Sequence, residues 1–233
     1  MSGENEVPGK NQEGDGGGRP EIGVGPHPEP WPDDPRLDPE LLAEGDRRNV
    51  LERYRYWSVE AIREDLDGRR HPFHVAIENW RHDPNIGSVV RNANAFLAAG
   101  VHVVGERRWN RRGAMMTEVY QHVSHHPDLE ALAAWAAAPG EGKGEDSGPL
   151  PILGIDNAPG AEPLWGAELP RRCVLLFGQE GPGLSAAALE VVQRVVSIPQ
   201  YGSTRSINAG AASAVVMAEW CRRHAGPGDV SPE

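Results

Sequence analysis

From Arg70 onward the sequence predicts an α/β domain in which a largely parallel sheet carries helices on both faces. Three observations carry this expectation. Short β-branched, apolar runs alternate with segments of helical period. The runs are apolar enough to be buried in a sheet covered on both sides. The loops after three of them are too polar or too rich in glycine to be plain connections, and such sheets hold ligands at their carboxyl ends.

The elements follow in order. Residues 1–35 hold 8 Gly and 7 Pro among many acids, too little apolar surface to offset the entropy of ordering, and are expected to form a disordered acidic tail. Residues 36–70 (…LLAEGDRRNVLERYRYWSVEAIREDL…) have helical spacing and read as a helical N-terminal extension. The domain spans 71–225, with a disordered C-terminus at 226–233. Within it HPFHVAIENW is a strand, and NIGSVVRNANAFLAAG a helix expected to stop at Gly100. VHVVGE is the next strand, RRWNRRG a basic loop and PDLEALAAWAAA a helix. Pro139 to Pro149 is a flexible connection. PILGID, CVLLFG and VVSIP are strands, SAAALEVVQ is a helix, and INAGAASAVVMAEWCRR closes the domain as the last helix.

The 233 residues carry a formal charge of −11, which argues against a polyanionic partner until the charge is located. Up to Asp46 there are 12 acids against 3 bases, whereas Arg47 to Arg112 hold 13 bases against 8 acids. A basic surface can steer nucleic acid on an acidic molecule. Two cysteines, Cys173 and Cys221, exclude a disulfide framework and a four-thiolate zinc site, and both read as packing residues. No apolar run approaches a membrane span and the N-terminus lacks the pattern of a signal peptide, so a soluble, cytoplasmic chain without membrane contact is expected. His122, His125 and His126 lack a fourth ligand and read as surface histidines, with no metal expected.

The first special loop, ENWRHDPNIGSVVR, starts a helix near Asn85 to Gly87, where free N–H groups attract anions. Arg91, a turn later, could supply a charged fork. Asn85 as a plain cap and Arg91 as a solvated side chain remain alternatives. The second loop, FGQEGPGLS, matches neither a phosphate loop nor the GxGxxG spacing, and Glu180 at the strand tip is either a binding group or a helix-start glutamate. In the third, IPQYGSTRSINAGAA, Ser206 and Asn208 flank Ile207. Ser185 and Ser206 lack the setting of a hydrolase nucleophile.

Together the loops resemble the three motifs of the SpoU (TrmH-like) branch of the SPOUT RNA 2′-O-ribose methyltransferases. Asn85, Gly87 and Arg91 match the first, Phe177, Gly178, Glu180 and Gly183 the second, and Ile198, Pro199, Gly202, Ser206 and Asn208 the third. The resemblance covers about Phe73 to Arg223. It implies a C-terminal trefoil knot, S-adenosylmethionine as cofactor near Asn157, Gly178, Ile198 and Ile207, a homodimer, and methyl transfer to a ribose hydroxyl of RNA. By similarity Asn85, Arg91, Glu180, Ser206 and Asn208 are the catalytic set. Arg91 is expected to grip a phosphate and stabilise alkoxide character, because an arginine side chain stays protonated and has no lone pair to act as a base. Arg107, Arg108, Arg111 and Arg112 suit an RNA-contacting loop, with Trp109 stacking on a splayed base, though a plain solvated loop explains them equally. The form of the third motif, with Arg205 before Ser206, favours tRNA over rRNA. The chain departs from the family at Ala209-Gly210, where Val-Ser is common and looser packing is expected, and at Asn92-Ala93-Asn94, where Thr-Ala is frequent. An RNA-binding protein that has lost methyl transfer is the alternative; a nucleotide-dependent oxidoreductase fails on glycine spacing.

Overall fold

The structure, a computed structural model, describes residues 23–80, 85–139, 148–179 and 181–226. It divides into two compact units, one ending at Trp57 and the other beginning at Ser58. Most of the expected N-terminal tail, the connection 140–147 and the last seven residues lie outside the described residues.

In the first unit residues 23–35, expected to be disordered, are held in place. Val24 and Asp46 exchange two backbone hydrogen bonds, both 2.9 Å. α1 (Pro39–Glu44) starts on Asp38, whose carboxylate accepts from the Glu40 and Leu41 amides. So short a segment cannot enclose a large apolar core, and its organising group is instead the buried carboxylate of Asp46. That group accepts from Arg48 Nε at 2.9 Å and Nη2 at 2.7 Å and from the Tyr56 amide at 3.0 Å. Burial alone would raise the Asp46 pKa, but the donors from Arg48 and Tyr56 outweigh it and hold the group below the usual carboxylate value. Arg36 pairs with Asp34 and lies 4.2 Å over the Trp57 ring, and Arg55 pairs with Glu52.

The second unit opens with α2 (Val59–Asp67), capped by the Ser58 hydroxyl. The expected boundary at residue 71 therefore moves back: this helix clusters with the domain, not with the extension. The remaining elements are β1 (His71–Asn79), α3 (Ile86–Ala95), β2 (Ala98–Gly105), β3 (Val123–His126), α4 (Leu129–Ala137), β4 (Ile152–Ile155), β5 (Glu162–Pro163), β6 (Cys173–Phe177), α5 (Ala186–Val191), β7 (Arg194–Ser197) and α6 (Ala209–His224). The strands form one sheet in the order β3-β2-β1-β6-β4-β7-β5, every pair parallel. Strand periodicity then sorts the core. Phe73, Val75 and Ile77 of β1 face α3 and α6, where Trp220 is fully buried, while Ala76 of the same strand faces the cluster built on α4 and α5. Helices cover both faces, as the alternation of apolar runs predicts.

Two expectations change. The helix after β1 ends at Ala95, and Gly100, read as its stop, lies inside β2. A side chain there would come 3.3 Å from His74 Nδ1, so the glycine makes room across the sheet. His126, read as a surface residue, is buried on β3. His74 Nδ1 lies 3.1 Å from His102 Nε2, and His102 Nδ1 lies 2.9 Å from His126 Nε2, with Trp135 packed on all three rings. His122 and His125 are exposed, as expected. Among the described residues no helix is long and apolar enough to cross a membrane.

Candidate functional site

A cavity of about 700 Å³ opens where β4, β6 and β7 end, within the size range of small-molecule sites. Ile155, Phe177, Leu184 and Ile198 give it apolar wall; Asp156, Asn157, Gln179 and Gln200 give it polar groups. All four residues assigned to a cofactor by resemblance, Asn157, Gly178, Ile198 and Ile207, line it. Asn157 Nδ2 donates to the Arg205 carbonyl at 3.1 Å, tying the loop after β4 to the loop after β7. The buried atoms Gln179 Oε1 and Gln200 Nε2 have no hydrogen-bond partner among the described residues, an unfavourable state that a polar ligand could relieve.

Ser206 and Asn208 also line the cavity, whereas Asn85 and Arg91 do not. Asn85 is buried at the start of α3 without capping that helix by its side chain. Asn208 Nδ2 donates instead to Asn85 Oδ1 at 2.7 Å, while Asn208 Oδ1 accepts from the amides of Gly210 (2.9 Å) and Ala211 (3.3 Å) and caps α6. The first and third loops are thus joined through two side-chain amides at the cavity's edge. Arg91 projects from α3 as an exposed guanidinium with no ion pair or hydrogen bond among the described residues. Glu180 lies outside the described residues.

Arg107, Arg108, Arg111 and Arg112 are all exposed. Their loop is anchored at its start by Asn79, whose Nδ2 donates to the carbonyls of Glu106 (2.6 Å) and Arg108 (2.9 Å). It is anchored at its end against Gly87, where a Cβ would stand 2.6 Å from the Ala114 nitrogen. The first-motif glycine therefore admits the end of the basic loop beside the start of α3. Trp109 is not the free stacking surface expected of it: the ring packs partly buried on the main core, with Arg111 5.8 Å from its centroid. The indole exposed beside Gly105, at the head of this loop, is Trp80, whose Nε1 donates to Glu78 Oε1 at 2.7 Å.

The two departures from the family motifs meet each other. Gly210 is buried, and a Cβ on it would fall 2.8 Å from that of Ser88, so the position brings α3 and α6 close where looser packing was expected. Asn92 Nδ2 donates to the Gly210 carbonyl (2.7 Å) and to Ser213 Oγ (2.9 Å) across the same contact. Burial pushes the Cys173 thiol up to about 12, which keeps it neutral and in line with a packing role. Sequence reasoning passed over Glu78, Asp156, Gln179 and Gln200. The one available signal was an acid at or just past the end of two apolar strands.

A wholly parallel sheet with a mixed polar and apolar cavity at its carboxyl edge defines an α/β domain built to hold a small ligand there. The profile of the SpoU rRNA Methylase family matches residues 72–218, and the chain belongs to that family; membership implies the trefoil knot. A protein of Mycobacterium ulcerans described as a tRNA/rRNA methyltransferase is 31% identical over 160 residues, covering 64% of this chain and 46% of that protein. A counterpart from Mycobacterium sp. (strain KMS) is 34% identical over 150 residues, with the same coverage. The chain thus spans about half the length of the curated relatives it matches. Among solved structures, the SpoU methyltransferase AviRb from Streptomyces viridochromogenes in complex with AdoMet superposes with a TM-score of 0.57 at 25% identity, covering 68% of this chain and 60% of that one. The TrmH/SpoU tRNA modifying enzyme of A. aeolicus shares the fold, with a TM-score of 0.60 at 18% identity over 73% of this chain and 84% of that one.

Proposed function

We propose that this protein transfers a methyl group from S-adenosylmethionine to a ribose 2′-hydroxyl of RNA, with tRNA preferred to rRNA, as a homodimer whose acceptor site draws on both subunits. The observation that carries the reading is the Asn208–Asn85 hydrogen bond, which joins the wall of a cofactor-sized cavity to the helix that bears Arg91, a guanidinium without a partner among the described residues. The cavity suits the donor: apolar wall for the adenine, and Gln179 Oε1 and Gln200 Nε2, without partners among the described residues, for polar groups. Asn157, Gly178, Ile198 and Ile207 would hold it. When bound, it supplies an electrophilic methyl on a sulfonium.

The remaining work falls to the chain. Transfer to an alcohol requires orienting the hydroxyl and stabilising the charge that develops as its proton leaves. Arg91 is permanently charged and has no competing carboxylate among the described residues, so its guanidinium can hold the phosphate beside the acceptor ribose and stabilise alkoxide character. Asn208, fixed by capping α6, orients Asn85; Ser206 stands beside them on the cavity wall. Glu180 keeps its expected role of fixing the arginine or the loop. Arg107, Arg108, Arg111 and Arg112 supply phosphate contacts. The RNA-binding alternative rested on loose packing at Ala209-Gly210, and the close α3–α6 contact removes that ground.

The test has two parts. Titration of the purified protein with S-adenosylhomocysteine should show saturable heat, and ribose-methylation maps of total RNA with and without the protein should differ at defined nucleotides. Silence in the calorimeter from folded protein would end the reading; a methylated base in place of a ribose would redirect it.

A further inference from the structure

We infer that Glu78 and Asp156 are positioning residues, a pair of carboxylates that seats the returning limb of the second-motif loop and so sets the wall of the cavity; this rests on the methyl-transfer reading above. The registers show why. Ile77 of β1 and Ile155 of β4 both pair with Phe177 of β6, so the next residues, Glu78, Gly178 and Asp156, form one row across the sheet's carboxyl edge. All three lie on the sheet face that α4 and α5 cover.

The chain comes back over the middle of this row. A Cβ on Gly178 would collide with the Gly183 carbonyl group and the Leu184 nitrogen, and one on Gly183, at φ +74°, would collide with the Asp156 carboxylate. With side chains absent there, successive amides are gripped from the two flanking strands. Leu184 N–H donates to Asp156 Oδ2 and Ser185 N–H to Glu78 Oε2, each at 2.9 Å. Asp156 Oδ1 accepts from the Asn157 amide at 2.7 Å, and Glu78 Oε1 accepts from Trp80 Nε1 at 2.7 Å. Glu78 is fully buried. A buried carboxylate is stable only with its oxygens satisfied, so the seat holds the limb as firmly as the limb holds the seat. Gly178, Gly183, Leu184 and Asp156 all belong to the cavity lining. A ligand there meets a limb already in place and need not order it on binding.

Glu78→Gln and Asp156→Asn keep volume but put an amide group where an N–H must be accepted. Hydrogen exchange should show the Leu184 amide losing protection in Asp156→Asn and the Ser185 amide in Glu78→Gln, while the core strands stay protected. Affinity for S-adenosylhomocysteine should fall by about tenfold in each, equivalent to about 1.4 kcal/mol, with the donor KM rising and kcat at saturating donor changing far less. Unchanged amide protection, or affinity within about twofold of the parent, overturns the inference. If Glu78→Gln does not fold, Asp156→Asn at its half-buried site decides alone. A parent protein that binds no donor sinks the functional reading instead, and amide protection still judges the seat.

Discussion

The arginines of the small N-terminal unit and those around the candidate site answer the same residue type with opposite solutions. Arg36, Arg48 and Arg55 are each matched to a carboxylate, with Asp34, Asp46 and Glu52. The guanidinium groups of Arg91, Arg107 and Arg112 stand exposed, without a carboxylate or hydrogen-bond partner among the described residues. The first set is consumed by folding, and the second, which has no such partner among the described residues, is the set that the proposed function assigns to phosphate. Positive charge counted along a sequence therefore overstates a nucleic-acid surface, because pairing removes part of it.

The contrast breaks first at Arg91. Arg91→Ala should lower methyl transfer by about 10³-fold, leaving the melting temperature and donor affinity as they were; loss of donor affinity would place Arg91 in the cavity instead. Arg48→Ala should do the reverse. Stripped of its partner, the buried Asp46 should destabilise the N-terminal unit by about 3 kcal/mol, read by its denaturant midpoint, with RNA affinity unchanged. Combined replacement of Arg107 and Arg112 by Ala should weaken RNA binding about tenfold at low salt and flatten its salt dependence by about 1.5 in log–log slope; an unchanged slope would mean these charges face solvent alone. The smallest effect belongs to the histidine row. Burial first, and then neighbouring His125, pulls His126 below its usual 6.5, against an opposing pull from Asp128. The unfolded chain therefore takes up this proton at higher pH than the folded one, so stability is complete above about 6.5 and declines as the pH falls below it. Thermal melts from pH 7 to 5 should show the decline, and His126→Gln should reduce it.

What could be read from the residues divides along lines of locality. PILGID and CVLLFG announce strands because their apolar runs are self-sufficient. VSHH does not announce β3: three of its four residues are polar, and His126 is buried only because β1 and β2 bring His74 and His102 into line with it. Gly100 has the look of a helix stop, yet its role is set by His74 on the adjacent strand. The three loop motifs are legible as motifs, and the cavity gathers much of them. Glu78 shows in the sequence only as an acid near the end of an apolar strand, since its value depends on an amide 107 residues later. Asn92 and Gly210 look like separate lapses from a family pattern and are one contact.

The strand order carries a consequence for how the chain comes to be folded. β4 takes both its neighbours, β6 and β7, from sequence that follows it, and β6 must enter between two strands made earlier. As the nascent polypeptide leaves the ribosome, Ile152–Ile155 has no mate until Cys173–Phe177 emerges. Assembly of the sheet's centre thus waits until β1, β2, β3 and β4 have all been made, a delay typical of long-range parallel pairing. A product truncated before residue 173 would display an orphan apolar strand, a ready nucleus for aggregation.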